Sequence, residues 1–345
     1  MTQKTVLLAL SGGVDSSLCA ALLKEQGYDL QAVVMQMSDA HAPTVLAAEK
    51  AAQTLDIPLT VLDLREVFER EVVIPFINAY RQATTPNPCI LCNPRVKFRY
   101  LLETADRLGC AYIATGHYAR VDRADGRYFI KTAASGARDQ SYMLYRLPQE
   151  VLCRLLLPLG EAFKDEVRQK ARQLGLSSAD APDSQDNCFV PDGDWAGFIE
   201  RRSGPMAPGD FISPEGAVCG RHRGLLHYTV GQRKGLGIAL GRPVFVNRLN
   251  IENNTVELSY AGQEYRSFLL AEDCVFMCRE SINEPLRALV KIRSAAVPAP
   301  ALLTPLAPQR IRCDFDEPVR APAPGQSAVF YLKDRVLGGG FIAEN

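Results

Sequence analysis

The sequence predicts an α/β protein whose first part is a doubly wound parallel sheet and whose second part is rich in β-structure. Three observations carry this. Short apolar runs alternate with helical stretches up to Leu174, which implies parallel strands covered by helices on both faces. The first apolar run ends abruptly in a Ser-Gly-Gly loop that opens a helix. From about Pro205 glycine and proline become frequent, apolar runs shorten and long helical patterns disappear.

Taken in order, Thr5–Leu10, Leu30–Met35, Leu59–Leu62 and Tyr112–Thr115 read as strands. Ser16–Gln26, Thr44–Leu55, Val67–Tyr80, Arg95–Leu108 and Phe163–Leu174 read as helices. Gly126, between Arg120–Asp122 and Arg127–Lys131, predicts a small hairpin. Pro208–Gly220, Gly224–Gly241 and Pro243–Leu258 read as short strands and turns. Ala288–Ile292, Ile311–Phe315, Ser327–Leu332 and Val336–Ala343 read as further strands. Seven prolines between Val297 and Gly325 are expected in loops between barrel strands.

The chain has 345 residues, enough for two or three domains. No apolar run has the length of a membrane span, and the N-terminus leads straight into a strand, so neither membrane insertion nor a signal peptide is expected. Ten cysteines in a chain of cytoplasmic character point to thiol, metal or redox chemistry rather than a disulfide scaffold. The formal net charge is zero, but residues 201–250 hold eight Lys/Arg and two Asp/Glu. That segregation suits docking on a phosphate backbone.

The loop Ser11-Gly12-Gly13-Val14-Asp15-Ser16-Ser17 carries the first chemistry. Its glycines let the backbone approach an anion, and the helix start directs free N–H groups and partial positive charge at the same place. The hydroxyls of Ser11, Ser16 and Ser17 add donors. The lysine of the G-x-x-x-x-G-K-[ST] loop is missing, as is the G-x-G-x-x-G pattern. The stretch resembles the PP-loop of ATP pyrophosphatases, which cut ATP between the α and β phosphates to adenylate a substrate. A plain helix cap with a flexible turn is the bland alternative.

Three cysteines form the second constellation. Residues 84–99 carry Cys89 and Cys92 in a C-x-x-C among Pro86, Pro88 and Pro94, which predict an extended, stiff loop. Cys188 stands in the polar stretch Asp183-Ser184-Gln185-Asp186-Asn187. A redox pair, part of a zinc site and part of an iron–sulfur site all remain open on spacing alone. Three cysteines suit a cluster iron with one open position, or a thiol/persulfide relay ending in a disulfide. The other seven (Cys19, Cys110, Cys153, Cys219, Cys274, Cys278, Cys313) read as structural.

With these motifs in place the chain resembles the tRNA-specific 2-thiouridylases almost end to end. The matching blocks are Ser11–Ser17, Thr85-Pro86-Asn87-Pro88, Cys92-Asn93, Lys97-Phe98, Thr115-Gly116-His117-Tyr118-Ala119-Arg120, Asp139-Gln140-Ser141-Tyr142, Asp183-Ser184-Gln185 with Cys188-Phe189, Gly231-Gln232-Arg233-Lys234-Gly235-Leu236-Gly237, and Pro324-Gly325-Gln326-Ser327-Ala328. The resemblance implies a PP-loop catalytic domain (1–202), a small β-rich, tRNA-contacting central domain (203–265) and a C-terminal β-barrel (266–345). It implies ATP-dependent adenylation of O2 of the wobble uridine, followed by sulfur transfer to give 2-thiouridine. Ala9, Leu10, Ser11, Gly12, Gly13, Val14, Asp15, Ser16, Met35 and Gly116 would bind ATP with Mg²⁺. Asn87, Pro88 and Cys89 would face the target base. His117, Arg138, Asp139, Gln140, Arg293, Ser294 and Gln326 would contact tRNA. Cys92 corresponds to the nucleophile and Cys188 to the persulfide carrier, with Cys89 and Asp15 completing the catalytic set. The partners implied are the tRNA anticodon stem-loop and a sulfur-donor protein carrying persulfide or bound sulfide.

The chain departs from the family pattern in places. Many members have Asp at the position of Cys89; the C-x-x-C version with Cys188 resembles members in which three cysteines hold a 4Fe-4S cluster. The segment after Met35 (Gln36–Pro43) is short, Arg138 replaces a lysine, and Ser294 replaces a common aromatic. A small-molecule PP-loop ligase is the rival enzyme class, but it needs neither Gly231–Gly237 nor the three cysteines. A non-catalytic RNA-binding paralogue should have lost Asp15 or Cys92. A relative acting on another RNA position stays open. Trp195 reads as core, while His227 and Tyr228 fit either an RNA-facing or an ordinary turn surface.

Overall fold

The structure is a computed structural model that describes residues 4–176, 178–179 and 187–344. The predicted Asp183-Ser184-Gln185 block lies outside the described residues. Strands β1 (Thr5–Ala9), β2 (Asp29–Gln36), β3 (Leu59–Asp63) and β4 (Tyr112–Ala114) form where the apolar runs predict them. β5 (Arg120–Ala124) and β6 (Arg127–Lys131) make the expected hairpin. It turns at Asp125 and Gly126, both at positive φ, as a tight two-residue hairpin loop requires. A two-residue strand, β7 (Leu155–Leu156), was not foreseen.

The first sheet has the order β3-β2-β1-β4-β7 and is parallel throughout. The chain builds outward from β1 on one side, then resumes on the other with β4. That reversal opens a crevice beyond the carboxyl ends of β1 and β4, where ligands bind in such sheets. Alternation along β1 feeds two cores. Val6 and Leu8 pack with Leu18 and Leu23 of helix Val14–Glu25, while Leu7 packs with Phe98 and Leu101.

The proline-rich stretch at 86–94 departs from expectation. Pro88–Cys92 is helical, Asn93–Lys97 follows as a wider π turn, and Phe98–Arg107 continues as α-helix. Asn87 caps the start, its Oδ1 accepting from the Cys89 N–H at 3.1 Å. Pro88 occupies the first helical position, where a missing N–H leaves no bond unmade. Pro94 falls in the π turn, where the ordinary hydrogen-bond ladder is already interrupted. A second π turn, Glu69–Val73, joins Arg65–Phe68 to Ile74–Arg81 within the predicted third helix.

The second half begins with β8 (Gly209–Ile212), β9 (Val218–His222), β10 (Val244–Asn250) and β11 (Thr255–Tyr260), ordered β10-β11-β8-β9 around Phe211, Val246 and Val256. Then β12 (Tyr265–Phe276), β13 (Leu286–Lys291), β14 (Ala299–Ala307), β15 (Arg310–Arg320), β16 (Ser327–Leu332) and β17 (Arg335–Ile342) close into a six-stranded antiparallel barrel through the β12–β17 pairing. The β5–β6 hairpin extends this sheet at Lys131, which pairs with Arg335.

The placement of the prolines needs correction. Pro300 and Pro305 lie in β14 and Pro318 in β15, not in loops. Pro305 sits at a register shift, and Pro318 falls where the β12–β15 pairing skips from Val319 to Asp314. Irregular pairing tolerates a residue that cannot donate to the ladder. Among the cysteines read as structural, Cys19, Cys110, Cys274 and Cys313 are buried, but Cys153 is exposed. Among the described residues, no helix is long and apolar enough to cross a membrane.

Candidate active site

The phosphate loop follows β1 directly. Its shape is held by internal hydrogen bonds: the Ser11 N–H donates to Ser16 Oγ at 3.2 Å, and Ser16 Oγ donates to the Gly13 carbonyl at 3.1 Å. Gly12 has φ +75°, and a Cβ there would lie 2.3–2.6 Å from backbone atoms of Ala47 and Ala48. Only glycine permits this close pass beneath helix Ala42–Leu55. Gly13 caps helix Val14–Glu25 without a side chain, leaving the first N–H groups open toward the crevice. Ser17 Oγ is buried and has no hydrogen-bond partner. Ala9 and Leu10 end the strand, with the Leu10 N–H bonded to the Val33 carbonyl, and Met35 lies buried farther along β2.

Asp15 faces two partners that the sequence did not suggest. Lys164 Nζ lies 2.8 Å from both carboxylate oxygens, and Tyr118 Oη donates to Oδ1 at 2.7 Å. The carboxylate and burial together push the Tyr118 phenol far up, burial being the larger cause. Gly116, after β4, packs on the same helix start, its missing Cβ leaving room for Asp15 and Ser16.

The thiol centre adjoins through the next residue. The His117 ring packs on Phe98 with centroids 5.7 Å apart, and its Nδ1 pairs with Thr115 Oγ1 at 2.8 Å. Burial, then the nearby Lys97 ammonium, pulls His117 down to about 3, so it is neutral at ordinary pH. Lys97 also acts on Cys92 and Cys188. Cys92 is buried, its Sγ 3.9 Å from Met37 Sδ, and burial pushes its thiol up to about 12 against the opposing pull of Lys97. Cys89 stands one turn before it on the same helix, and Cys89 and Cys188 add to the rise that burial causes. Cys188 is exposed, yet the packing around it raises its thiol against the opposing pull of Lys97. Among the described residues, no three His, Cys, Asp or Glu side chains are set to hold a single metal ion.

The residues predicted to meet RNA divide into groups. Asn87, Pro88 and Cys89 form the start of the cysteine helix, with Pro88 buried and the other two half-buried. Arg138 and Arg293 are exposed and Ser294 is half-buried. Asp139 instead accepts from the Ala133 and Ser141 N–H groups and from Ser141 Oγ. Gln140 accepts from the Tyr118 N–H at 2.8 Å, and Gln326 donates to the Thr85 carbonyl at 2.9 Å. In the central unit Arg221, Arg223, Arg233, Lys234 and Arg242 are exposed. Tyr228 is core, edge-on to Phe211, and His227 pairs with Glu200. Trp195 stacks on Tyr80 at 4.4 Å, as the core reading expects.

Sequence reasoning missed Lys164, Met37 and the roles of Lys97 and Asn93. Lys97 and Asn93 lay within quoted motifs, but nothing local marked Lys164 or Met37.

A parallel sheet with an open phosphate loop at its switch point and a thiol centre beside it defines an ATP-using enzyme of the PP-loop class. The comparisons narrow the class. A family model described as "tRNA methyl transferase HUP domain" matches residues 4–192, a "tRNA methyl transferase PRC-barrel domain" matches 196–259, and an "Aminomethyltransferase beta-barrel domain" matches 266–342. The protein named tRNA-specific 2-thiouridylase MnmA from Acetivibrio thermocellus is 44% identical over 99% of this chain and 100% of its own. Those of Carboxydothermus hydrogenoformans and Clostridioides difficile are 45% and 41% identical, each over 99% of this chain and 98% and 99% of their own. The chain belongs to the tRNA-specific 2-thiouridylase MnmA family.

Proposed function

We propose that this tRNA uridine 2-sulfurtransferase adenylates O2 of the wobble uridine with ATP and replaces that oxygen with sulfur through Cys89, Cys92 and Cys188. The observation that carries the reading is the junction at Gly116-His117. One residue packs on the phosphate loop and the next lies beside the Lys97 and Cys92 cluster. Methyl transfer would require neither feature.

Ala9 to Ser16, Met35 and Gly116 form the nucleotide site. The open N–H groups of helix Val14–Glu25 stabilise the phosphates. Mg²⁺ beside Asp15 would neutralise charge on the departing pyrophosphate. The uridine O2 attacks the α phosphate and pyrophosphate leaves; sulfur then attacks C2 and AMP leaves. Asn87, Pro88 and Cys89 face the base, which must be splayed from the anticodon loop to reach them. Neutral His117 contributes a hydrogen-bonding edge there without added charge. The exposed arginines of the central unit, with Arg138, Arg293 and Ser294, hold the tRNA backbone. The reaction takes place in the cytoplasm, and a separate protein supplies the sulfur.

The three thiols fit a 4Fe-4S cluster in kind. Cys89 and Cys92 are one turn apart on a helix, and with Cys188 as a third soft donor they would hold three irons and leave the fourth without a protein ligand. When bound, such a cluster supplies an iron open to the incoming sulfur. A persulfide relay is the second reading, favoured by the contrast between exposed Cys188, accessible to a donor, and buried Cys92 beside it. Anaerobic purification decides between them: the cluster predicts about four irons per chain and broad visible absorbance. Full thiolation by iron-free protein would leave the relay. The reading as a whole is tested by nucleoside mass analysis of tRNA from cells lacking the protein, where unchanged 2-thiouridine would refute it.

A further inference from the structure

Four consecutive barrel residues bond the entrance of the cysteine helix directly and its far end through the segment Tyr142–Tyr145. At its entrance, Thr85 has both backbone groups engaged by the turn Ala323–Gln326. Its N–H donates to the Pro324 carbonyl at 2.8 Å, and its carbonyl accepts from Gln326 Nε2 at 2.9 Å. The approach depends on Gly325, at φ +88°, where a Cβ would stand 3.0 Å from Thr84 Cβ and the Thr85 nitrogen. Two residues on from Thr85, Asn87 caps the helix that carries Cys89 and Cys92.

At the far end, Asn93 is 2% exposed and donates to the Met143 carbonyl at 2.8 Å. The neighbours of Met143 are fixed to the same barrel segment. Tyr142 Oη donates to the Ser327 carbonyl at 2.9 Å and accepts from the Ser327 N–H at 3.2 Å, and Tyr145 Oη meets Ser327 Oγ at 3.1 Å. Ser327 is fully buried. The turn is itself locked into the barrel, since the Gly325 N–H donates to the Ile342 carbonyl and the Ile342 N–H to the Gln326 carbonyl.

We propose that Pro324–Ser327 is a positioning element that holds the cysteine helix in register for sulfur transfer, with Gln326 acting through Thr85. The proposal rests on the reading of Cys89 and Cys92 as the sulfur-handling thiols. It assigns the Gln326 amide to the enzyme's own loop, where the family resemblance pointed to RNA. Half-buried hydrogen bonds at both ends of a short, proline-bearing helix fix its rotation as well as its place. The barrel, otherwise remote from the chemistry, thereby sets the geometry of the thiols.

The test uses the full chain with Gln326→Met and Gln326→Glu, which keep size and remove the donor, and Gly325→Ala as an independent lesion. Hydrogen exchange is followed in the RNA-free protein. Loss of one hydrogen bond should speed exchange across residues 84–93 about fivefold and leave the parallel sheet unchanged. The kcat for thiolation should fall by a similar factor or more, with KM for tRNA and ATP–pyrophosphate exchange held. Unchanged exchange with a raised KM for tRNA would overturn the proposal and make Gln326 an RNA contact. Should one variant unfold, the other two carry the same readout. Absence of thiolation by the unaltered protein would overturn only the functional reading, and the exchange result would still decide the clamp.

Discussion

Replacing Gly12 with alanine tests the phosphate loop through geometry alone. The added Cβ would stand 2.3 Å from the Ala47 carbonyl carbon and 2.6 Å from the Ala48 nitrogen. Ordinary contact begins near 3.4 Å, so the loop must retreat by about 1 Å, because both obstacles are helix backbone. The left-handed φ adds about 1–2 kcal/mol for an L-residue. A displacement of about 1 Å in a group that positions phosphate costs about 100-fold in rate. Gly27→Ala is the matched control: its φ is +82°, yet nothing lies within 4 Å of the new Cβ. It should lose about 1 kcal/mol of stability and no activity. The assay is AMP release with saturating tRNA, run beside thermal melts of both variants. Wild-type turnover by Gly12→Ala, or equal losses for the two variants, would refute the reasoning.

Three further outcomes are expected. Cys92→Ser and Cys188→Ser should abolish thiolation while ATP–pyrophosphate exchange in the presence of tRNA persists, because adenylation precedes sulfur entry; loss of both reactions would contradict the separation of the two halves of the site. Asn93→Leu should cost about 1–3 kcal/mol in melting experiments, since the buried Met143 carbonyl loses its donor. His117 supplies a pH dependence. Its depressed pKa leaves the folded chain unprotonated while the unfolded chain binds a proton below about 6.5, so its stabilising contribution is present above that pH and is lost as pH falls toward 3. Burial lowers His41 and His222 in the same direction, so His117→Asn should reduce, not remove, the acid sensitivity of unfolding, by at most about 1.4 kcal/mol per pH unit. An unchanged slope would refute the assignment.

The parallel sheet, the hairpin and most barrel strands were legible because each leaves a local period or a turn dipeptide in the chain. Ser327–Leu332 forms over the expected residues, and the glycine loop stands between the predicted strand and helix. Proline misled twice for one reason. Its effect depends on whether the N–H it lacks had a partner, and that is decided by neighbours. Pro88 at a helix start and Pro305 at a register shift both sit where no bond is lost. The strand character of β14 was hidden by the same ambiguity.

By itself the sequence determined the phosphate loop, since the hydrogen bonds that hold its shape run between Ser11, Gly13 and Ser16, within seven adjacent residues. It also supplied three thiols, but not their meeting. Cys188 is brought toward Cys92 by Phe189, which packs against Phe68 and Phe76, and Lys164 reaches Asp15 across 149 positions of chain. Likewise Gln326 meets Thr85 from 241 positions away. Contacts at such separations leave no period in one chain. Tertiary packing alone decided them, and with them the charge around Asp15, the burial of Cys92 and the hold on the cysteine helix.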